Sequence, residues 1–190
     1  MPQKIRCAWC EKDDLYRKYH DEEWGEPVYD DDTIFEFLVL ESFQAGLSWY
    51  TILSKRDNFR KAFDQFNYKK IARYTDRKVE ALLQDPGIIR NRLKVLATIS
   101  NAKAFMEVQK EFGSFSEYIW SFVGGEPIDH QPRTLKEVPA TTAVSDALSK
   151  DLKKRGFKFL GPTVVYAHMQ ATGMVNDHIA DCHTRKLKQK

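Results

Sequence analysis

Residue types that ligate a soft divalent metal stand at both ends of the sequence: Cys7, Cys10 and His20 near the start, His178, Cys182 and His183 near the finish. Zinc takes four such groups tetrahedrally. His178 and Cys182 are four residues apart, so on a helix they share a face and supply half a site. Cys7 and His20 can complete a structural two-Cys, two-His zinc that ties the N-terminal segment to the C-terminal one and turns metal binding energy into folding energy. Read from spacing alone, Cys10 and His183 stay open as ligands, and buried thiols with surface histidines are the bland alternative.

A second group of residues suggests a pocket for a flat ring. Glu41 lies among Leu38, Leu40, Phe43 and Leu47, with Trp49 eight residues along and Tyr16 and Tyr19 upstream. A carboxylate in such company needs a partner. Aromatic rings that sandwich a nucleobase, with a carboxylate accepting hydrogen bonds from its edge, are how enzymes hold an extruded base. The plain alternative is a helix-paired glutamate beside core aromatics.

Phe157-Lys158-Phe159-Leu160-Gly161-Pro162-Thr163 reads as the turn of a helix-hairpin-helix. Gly161 permits close backbone approach, and Pro162 at the first helical position leaves the free N–H groups of the second helix facing an anion such as a phosphate. Lys153, Lys154, Arg155 and Lys158 add positive charge nearby.

These groups need a scaffold, and the composition supplies one. The 190 residues are 42% hydrophobic, 13% aromatic and 30% charged, enough for one buried core and too few for two ordinary domains. Twelve Phe, eight Tyr and four Trp argue against disorder. Three cysteines in a chain of this size favour thiols or metal ligands over a disulfide framework. No apolar stretch approaches the roughly 20 residues of a membrane span. With charges and cysteines where a secretory signal would be apolar, the expected location is cytoplasmic. The net charge of +3 is uninformative, but residues 21–54 hold nine acids and no Lys or Arg, which puts the basic side later in the chain.

Apolar spacing predicts an all-α fold. Asp32 is expected to cap a helix ending near Gly46, Ser48 one through Ile52 to Phe63, and Thr75 a third through Val79 and Leu83. A longer segment with Ile88, Leu93, Leu96, Ile99, Ala102 and Phe105 reads as the central buried helix, stopped by Gly113. A short aromatic helix from Phe115 precedes a Gly- and Pro-rich loop over 124–139. Ser145 opens the first hairpin helix and Pro162 the second. Residues 1–183 are read as a single compact domain in two lobes, and 184–190 as a basic flexible tail.

Arg6-Cys7-Ala8-Trp9, Tyr19-His20-Asp21-Glu22-Glu23-Trp24-Gly25, Leu40-Glu41-Ser42-Phe43-Gln44-Ala45-Gly46-Leu47-Ser48-Trp49, Arg155-Gly156-Phe157-Lys158-Phe159-Leu160-Gly161 and Gly173-Met174-Val175-Asn176-Asp177-His178 together resemble the bacterial 3-methyladenine DNA glycosylase I family. The resemblance runs from about residue 6 to about residue 182. It implies a helix-hairpin-helix glycosylase fold with a base pocket between two helical lobes, acting on double-stranded DNA in base excision repair as a monomer.

By motif match, Cys7, His20, His178 and Cys182 fall on the family's structural zinc ligands, which favours Cys7 over Cys10 and makes His183 a bystander. Glu41 matches the base-reading glutamate and is expected to carry catalysis. Trp49 matches the stacking tryptophan, and Tyr16 and Tyr19 the other pocket aromatics. Ala45, Gly46 and Leu47 match the loop that enters DNA beside the extruded nucleotide, with Leu47 as wedge. Leu160, Gly161, Pro162 and Thr163 are the hairpin contacts.

Many relatives in the wider superfamily carry a catalytic Asp where this chain has Asn176, and some a hairpin lysine nucleophile where it has Thr163. The expectation is a monofunctional glycosylase with water as acceptor and no strand cleavage. A 3-methylated adenine is cationic in the nucleoside and leaves as a neutral molecule, so little chemistry remains to be supplied. The alternatives are a module that binds alkylated DNA without excising a base, and a zinc hydrolase, which would need an open metal position.

Overall fold

The structure, a computed structural model, describes residues 4–187. It is helical throughout, as the apolar spacing predicts, apart from one very short strand pair. In chain order the helices are α1 (Asp14–Glu22), α2 (Asp31–Gln44), α3 (Trp49–Leu53), α4 (Arg56–Ala62), α5 (Tyr68–Ile71), α6 (Asp76–Gln84), α7 (Arg92–Phe112), α8 (Phe115–Ser121), α9 (Ala143–Lys154), α10 (Pro162–Ala171) and α11 (His183–Leu187).

The central buried helix is α2 rather than α7. From Ile34 to Phe43 every residue of α2 but Glu36 is buried, because apolar side chains surround the helix instead of forming one stripe. In α7, Leu93 is 67% exposed and Leu96 42%, while Val95, Thr98, Ala102, Phe105 and Val108 on the opposite face enter the core. Ile88 is buried but precedes the helix.

The cap of α2 is Asp30, two residues before the expected Asp32; its carboxylate accepts from the Thr33 N–H at 2.8 Å. Asp31 reaches across the fold, accepting from the N–H groups of Phe115 at 2.9 Å and Ser116 at 2.8 Å, so a side chain of α2 caps α8. The helix expected from Ser48 to Phe63 is two, because the chain turns at Ser54 and Lys55 and brings Arg56 onto Glu36 and Glu23. Thr142 rather than Ser145 caps α9; the two form a reciprocal capping box.

Within the 124–139 loop, β1 (Ile128–Asp129) pairs in parallel with β2 (Val175–Asn176), Ile128 opposite Val175. This pairing fastens the loop to the segment after α10. The expected tail falls partly on α11, where Arg185 is buried and donates to the Asp129 carboxylate and to the His178 carbonyl. Residues 188–190 lie outside the described residues.

Candidate active site and metal centre

A pocket of about 300 Å³ opens between the N-terminal segment, α2 and α10, a size suited to a small planar ligand. Tyr16 and Tyr19, one turn apart on α1, form one wall together with Trp9 and Trp24. Their rings are closely interlocked: Trp9 meets Tyr16 at 4.9 Å and Trp24 at 5.1 Å, both edge to face. Trp49, at the start of α3, stands 5.5 Å from the Tyr19 ring. Burial raises the phenol pKa of Tyr16, and raises that of Tyr19 strongly, with the Glu41 charge adding to the latter. Both rings therefore offer neutral faces. Ala167, Gln170 and Asp177 line the side toward α10, and Leu135 and Val138 of the 124–139 loop the mouth.

Glu41 enters this pocket from the last turns of α2 and is only 2% exposed. Its Oε2 lies 2.8 Å from Nδ1 of His168 on α10. Its Oε1, the Trp49 Nε1 and the His168 Nε2 are buried with no hydrogen-bond partner among the described residues. A buried polar atom left unsatisfied costs on the order of 1–3 kcal/mol. A ligand that donates to Oε1 removes part of that cost. Burial pushes the Glu41 carboxyl up from its ordinary range, and His168 opposes the shift.

The structure brings Cys7, His20, His178 and Cys182 together, all fully buried, with their ligand atoms within 4.8 Å of one another. Cys182 Sγ is 3.5 Å from both His20 Nε2 and His178 Nδ1, and Cys7 Sγ is 3.8 Å from His178 Nδ1. Bonds of about 2.3 Å to sulfur and 2.0–2.1 Å to nitrogen at tetrahedral angles set sulfur and nitrogen about 3.6 Å apart, so this donor set fits a zinc-sized ion.

The outer partners agree with that fit. His20 places Nδ1 at 2.8 Å from the Asp21 carboxylate, itself gripped by Arg6, and His178 places Nε2 at 3.0 Å from the Trp24 carbonyl. Each histidine thus has one ring nitrogen held by an outer partner and turns the other toward the cysteine sulfurs. The neighbouring Cys7 sulfur and the two histidines draw the Cys182 thiol below its ordinary range, while Cys182 and burial push Cys7 above it. Cys10 is buried and donates to the Cys7 carbonyl at 3.1 Å, outside the four-residue cluster, and His183 bonds the Ile5 carbonyl.

Ala45, Gly46 and Leu47 form an exposed turn at the end of α2, with Gly46 at φ +82 and Leu47 40% exposed. Buried Lys94 of α7 holds the base of that turn, its Nζ donating to the carbonyls of Phe43 at 2.7 Å and Ala45 at 2.8 Å. In the hairpin between α9 and α10, Gly161, Pro162 and Thr163 are exposed and Leu160 is buried as an anchor. Asn101 of α7 grips the hairpin at Lys158, donating to its carbonyl at 3.0 Å and accepting from its N–H at 2.8 Å. Ser149 donates to the Leu160 carbonyl at 2.7 Å. Asn176 sits in β2 and accepts from the His178 N–H at 3.3 Å, and it does not itself line the pocket.

Sequence reasoning missed His168, Lys94 and Asn101. The signal for His168 was the requirement that buried Glu41 have a partner; nothing in the linear pattern says that it comes from 127 residues away. Lys94 and Asn101 lie in a helix whose polar residues read as surface, yet both are turned inward onto loop backbone.

A family model described as Methyladenine glycosylase matches residues 9–186. The DNA-3-methyladenine glycosylase 1 of Escherichia coli is 50% identical over 177 residues, covering 93% of this chain and 95% of the relative. The DNA-3-methyladenine glycosylase of Haemophilus influenzae is 49% identical over 177 residues, covering 93% and 96%. Among solved structures, a 3-methyladenine DNA glycosylase I superposes with a TM-score of 0.92 at 50% identity, covering 94% of this chain and 98% of that one. The Staphylococcus aureus 3-methyladenine DNA glycosylase I, whose structure addresses recognition of 3-methyladenine, gives 0.92 at 39% identity, covering 94% and 95%.

Proposed function

The chain belongs to the methyladenine glycosylase family, and on that premise we propose that its pocket receives a 3-methyladenine extruded from duplex DNA while water completes hydrolysis of the glycosidic bond. It acts as a DNA glycosylase in repair, with 3-methyladenine as the base removed. The observation that carries the proposed site is the unpartnered Oε1 of buried Glu41 beside unpartnered Trp49 Nε1, inside walls of neutral aromatic rings.

In this reading Glu41 accepts from the amino edge of the methylated adenine. Trp49, Tyr16 and Tyr19 hold its faces. The bound base is cationic, so a buried carboxylate favours it over neutral adenine through charge as well as hydrogen bonding. Since the glycosidic bond is already weakened by methylation, binding that is tighter as the sugar gains positive charge supplies the remaining acceleration. The exposed Ala45, Gly46 and Leu47 turn fills the space the base leaves, and Leu160, Gly161, Pro162 and Thr163 present the α10 N-terminus to a phosphate.

Cys7, His20, His178 and Cys182 would hold a zinc ion. With four protein ligands it would supply a cross-link between chain ends rather than a reactive water. With no lysine at the hairpin position of Thr163, the enzyme is monofunctional, and a monomer suffices for one extruded base.

Incubation with methylated duplex DNA and chromatography of the small products tests this reading. Free 3-methyladenine should appear with the strands left uncleaved. A module that only bound alkylated DNA would shift its mobility and release nothing.

A further inference from the structure

His168 does not line the aromatic pocket itself but stands behind Glu41. Its Nδ1 is 2.8 Å from Glu41 Oε2, and its Nε2 has no partner among the described residues. On its far side lies a small apolar cavity lined by Leu38, Phe115, Ile119, Leu148, Leu152 and Val165, which belong to α2, α8, α9 and α10. None of these side chains titrates, so Glu41 is the polar group that His168 meets there. The other titratable groups that line the Glu41 pocket are Tyr16 and Tyr19 from α1, whose phenols stay neutral, and Asp177. Asp177 is occupied by Tyr166, His130 and Gln170.

The geometry points to His168 as the positioning residue of the site: its Nδ1–H occupies Glu41 Oε2, fixes the carboxylate against α10 and reserves Oε1 for the methylated base. This rests on the reading of Glu41 as the residue that accepts from the base. Without the histidine, the carboxylate would be free to turn in its cavity and would meet burial alone, which favours its protonated form. A protonated Glu41 presents one fewer acceptor and no charge to a cationic base. Burial raises the Glu41 carboxyl and His168 draws it back down, which agrees with that role.

Single-turnover release of 3-methyladenine from methylated duplex DNA, followed across pH, separates the possibilities with wild type, His168→Leu, His168→Asn, Glu41→Gln and the Glu41→Gln, His168→Leu double variant. His168→Leu should lose about tenfold to a hundredfold in rate, the scale of one hydrogen bond to a charged group, and its activity should fall away at higher pH than wild type as the solution is acidified. Asn carries an amide N–H where Nδ1 stands, so His168→Asn should recover most of the loss. In the Glu41→Gln background His168→Leu should add little further, since the histidine acts on the base only through the Glu41 carboxylate.

A folded His168→Leu with the wild-type rate and pH profile, beside an impaired Glu41→Gln, would overturn the positioning role and leave the pocket reading intact. A fully active Glu41→Gln would remove both. Should the leucine variant not fold, nitrogen NMR of the wild-type histidine ring decides: Nδ1 protonated and Nε2 bare is the expected tautomer, and a proton on Nε2 overturns the inference.

Discussion

His20 Nε2 lies 3.5 Å from the sulfur of Cys182, a residue 162 positions later, while the residue before it on α1, Tyr19, forms a wall of the base pocket. The Cys/His cluster and the pocket therefore share a helix. If the cluster holds the proposed zinc, chelation, or loss of one ligand in Cys182→Ser, should destabilise the fold by several kcal/mol, the scale of a structural metal site, and weaken 3-methyladenine binding in step. Metal content with thermal unfolding checks this. A protein that kept its Tm on losing the metal, yet lost excision, would make the ion catalytic.

Lys94 should matter to DNA more than to the free base. Lys94→Met removes two hydrogen bonds to the base of the 45–47 turn, so excision from duplex DNA is expected to fall about tenfold. Binding of free 3-methyladenine, read by tryptophan fluorescence, should be nearly unchanged. An equal loss in both would show that Lys94 supports the pocket itself.

Asn101→Leu removes both hydrogen bonds that grip the hairpin at Lys158. Affinity for methylated and unmethylated duplex should drop by a similar factor, because a phosphate-directed element positions the protein without reading the base. Fluorescence anisotropy on both duplexes checks it; a loss confined to methylated DNA would contradict it.

Glu41 should destabilise the protein that uses it. Its carboxyl is raised in the fold by burial. Above the unfolded value, about 4.3, the folded state binds the proton more readily, so stability falls as pH rises through the folded pKa. Glu41→Gln should therefore gain Tm over wild type at neutral pH, with the gain shrinking on acidification toward pH 4. Calorimetry across pH tests the sign.

What the sequence made legible was local. Gly113 ends α7 at φ +91 and Pro162 opens α10, as chain stereochemistry requires of those residues. His178 and Cys182 come together in one Cys/His cluster across their four-residue spacing, although a turn and not a helix joins them. Contacts across the fold were not legible. Periodicity made α7 central because Leu93 and Leu96 are apolar, yet they face solvent. The β1–β2 pair is too short for a pattern. Asp31, Lys94 and Asn101 bond backbone of other elements, a use of polar side chains that no window of sequence reveals.

The central claim is that Glu41 reads the methylated base in a catalytic pocket. Release of free bases from methylated duplex DNA, identified by chromatography, tests it most directly with folded, metal-loaded wild type and Glu41→Gln side by side. The account predicts that wild type frees 3-methyladenine, leaves 7-methylguanine in place, and outpaces Glu41→Gln about tenfold or more. Equal release by the two proteins would contradict the assignment of Glu41, and no release by wild type would contradict excision.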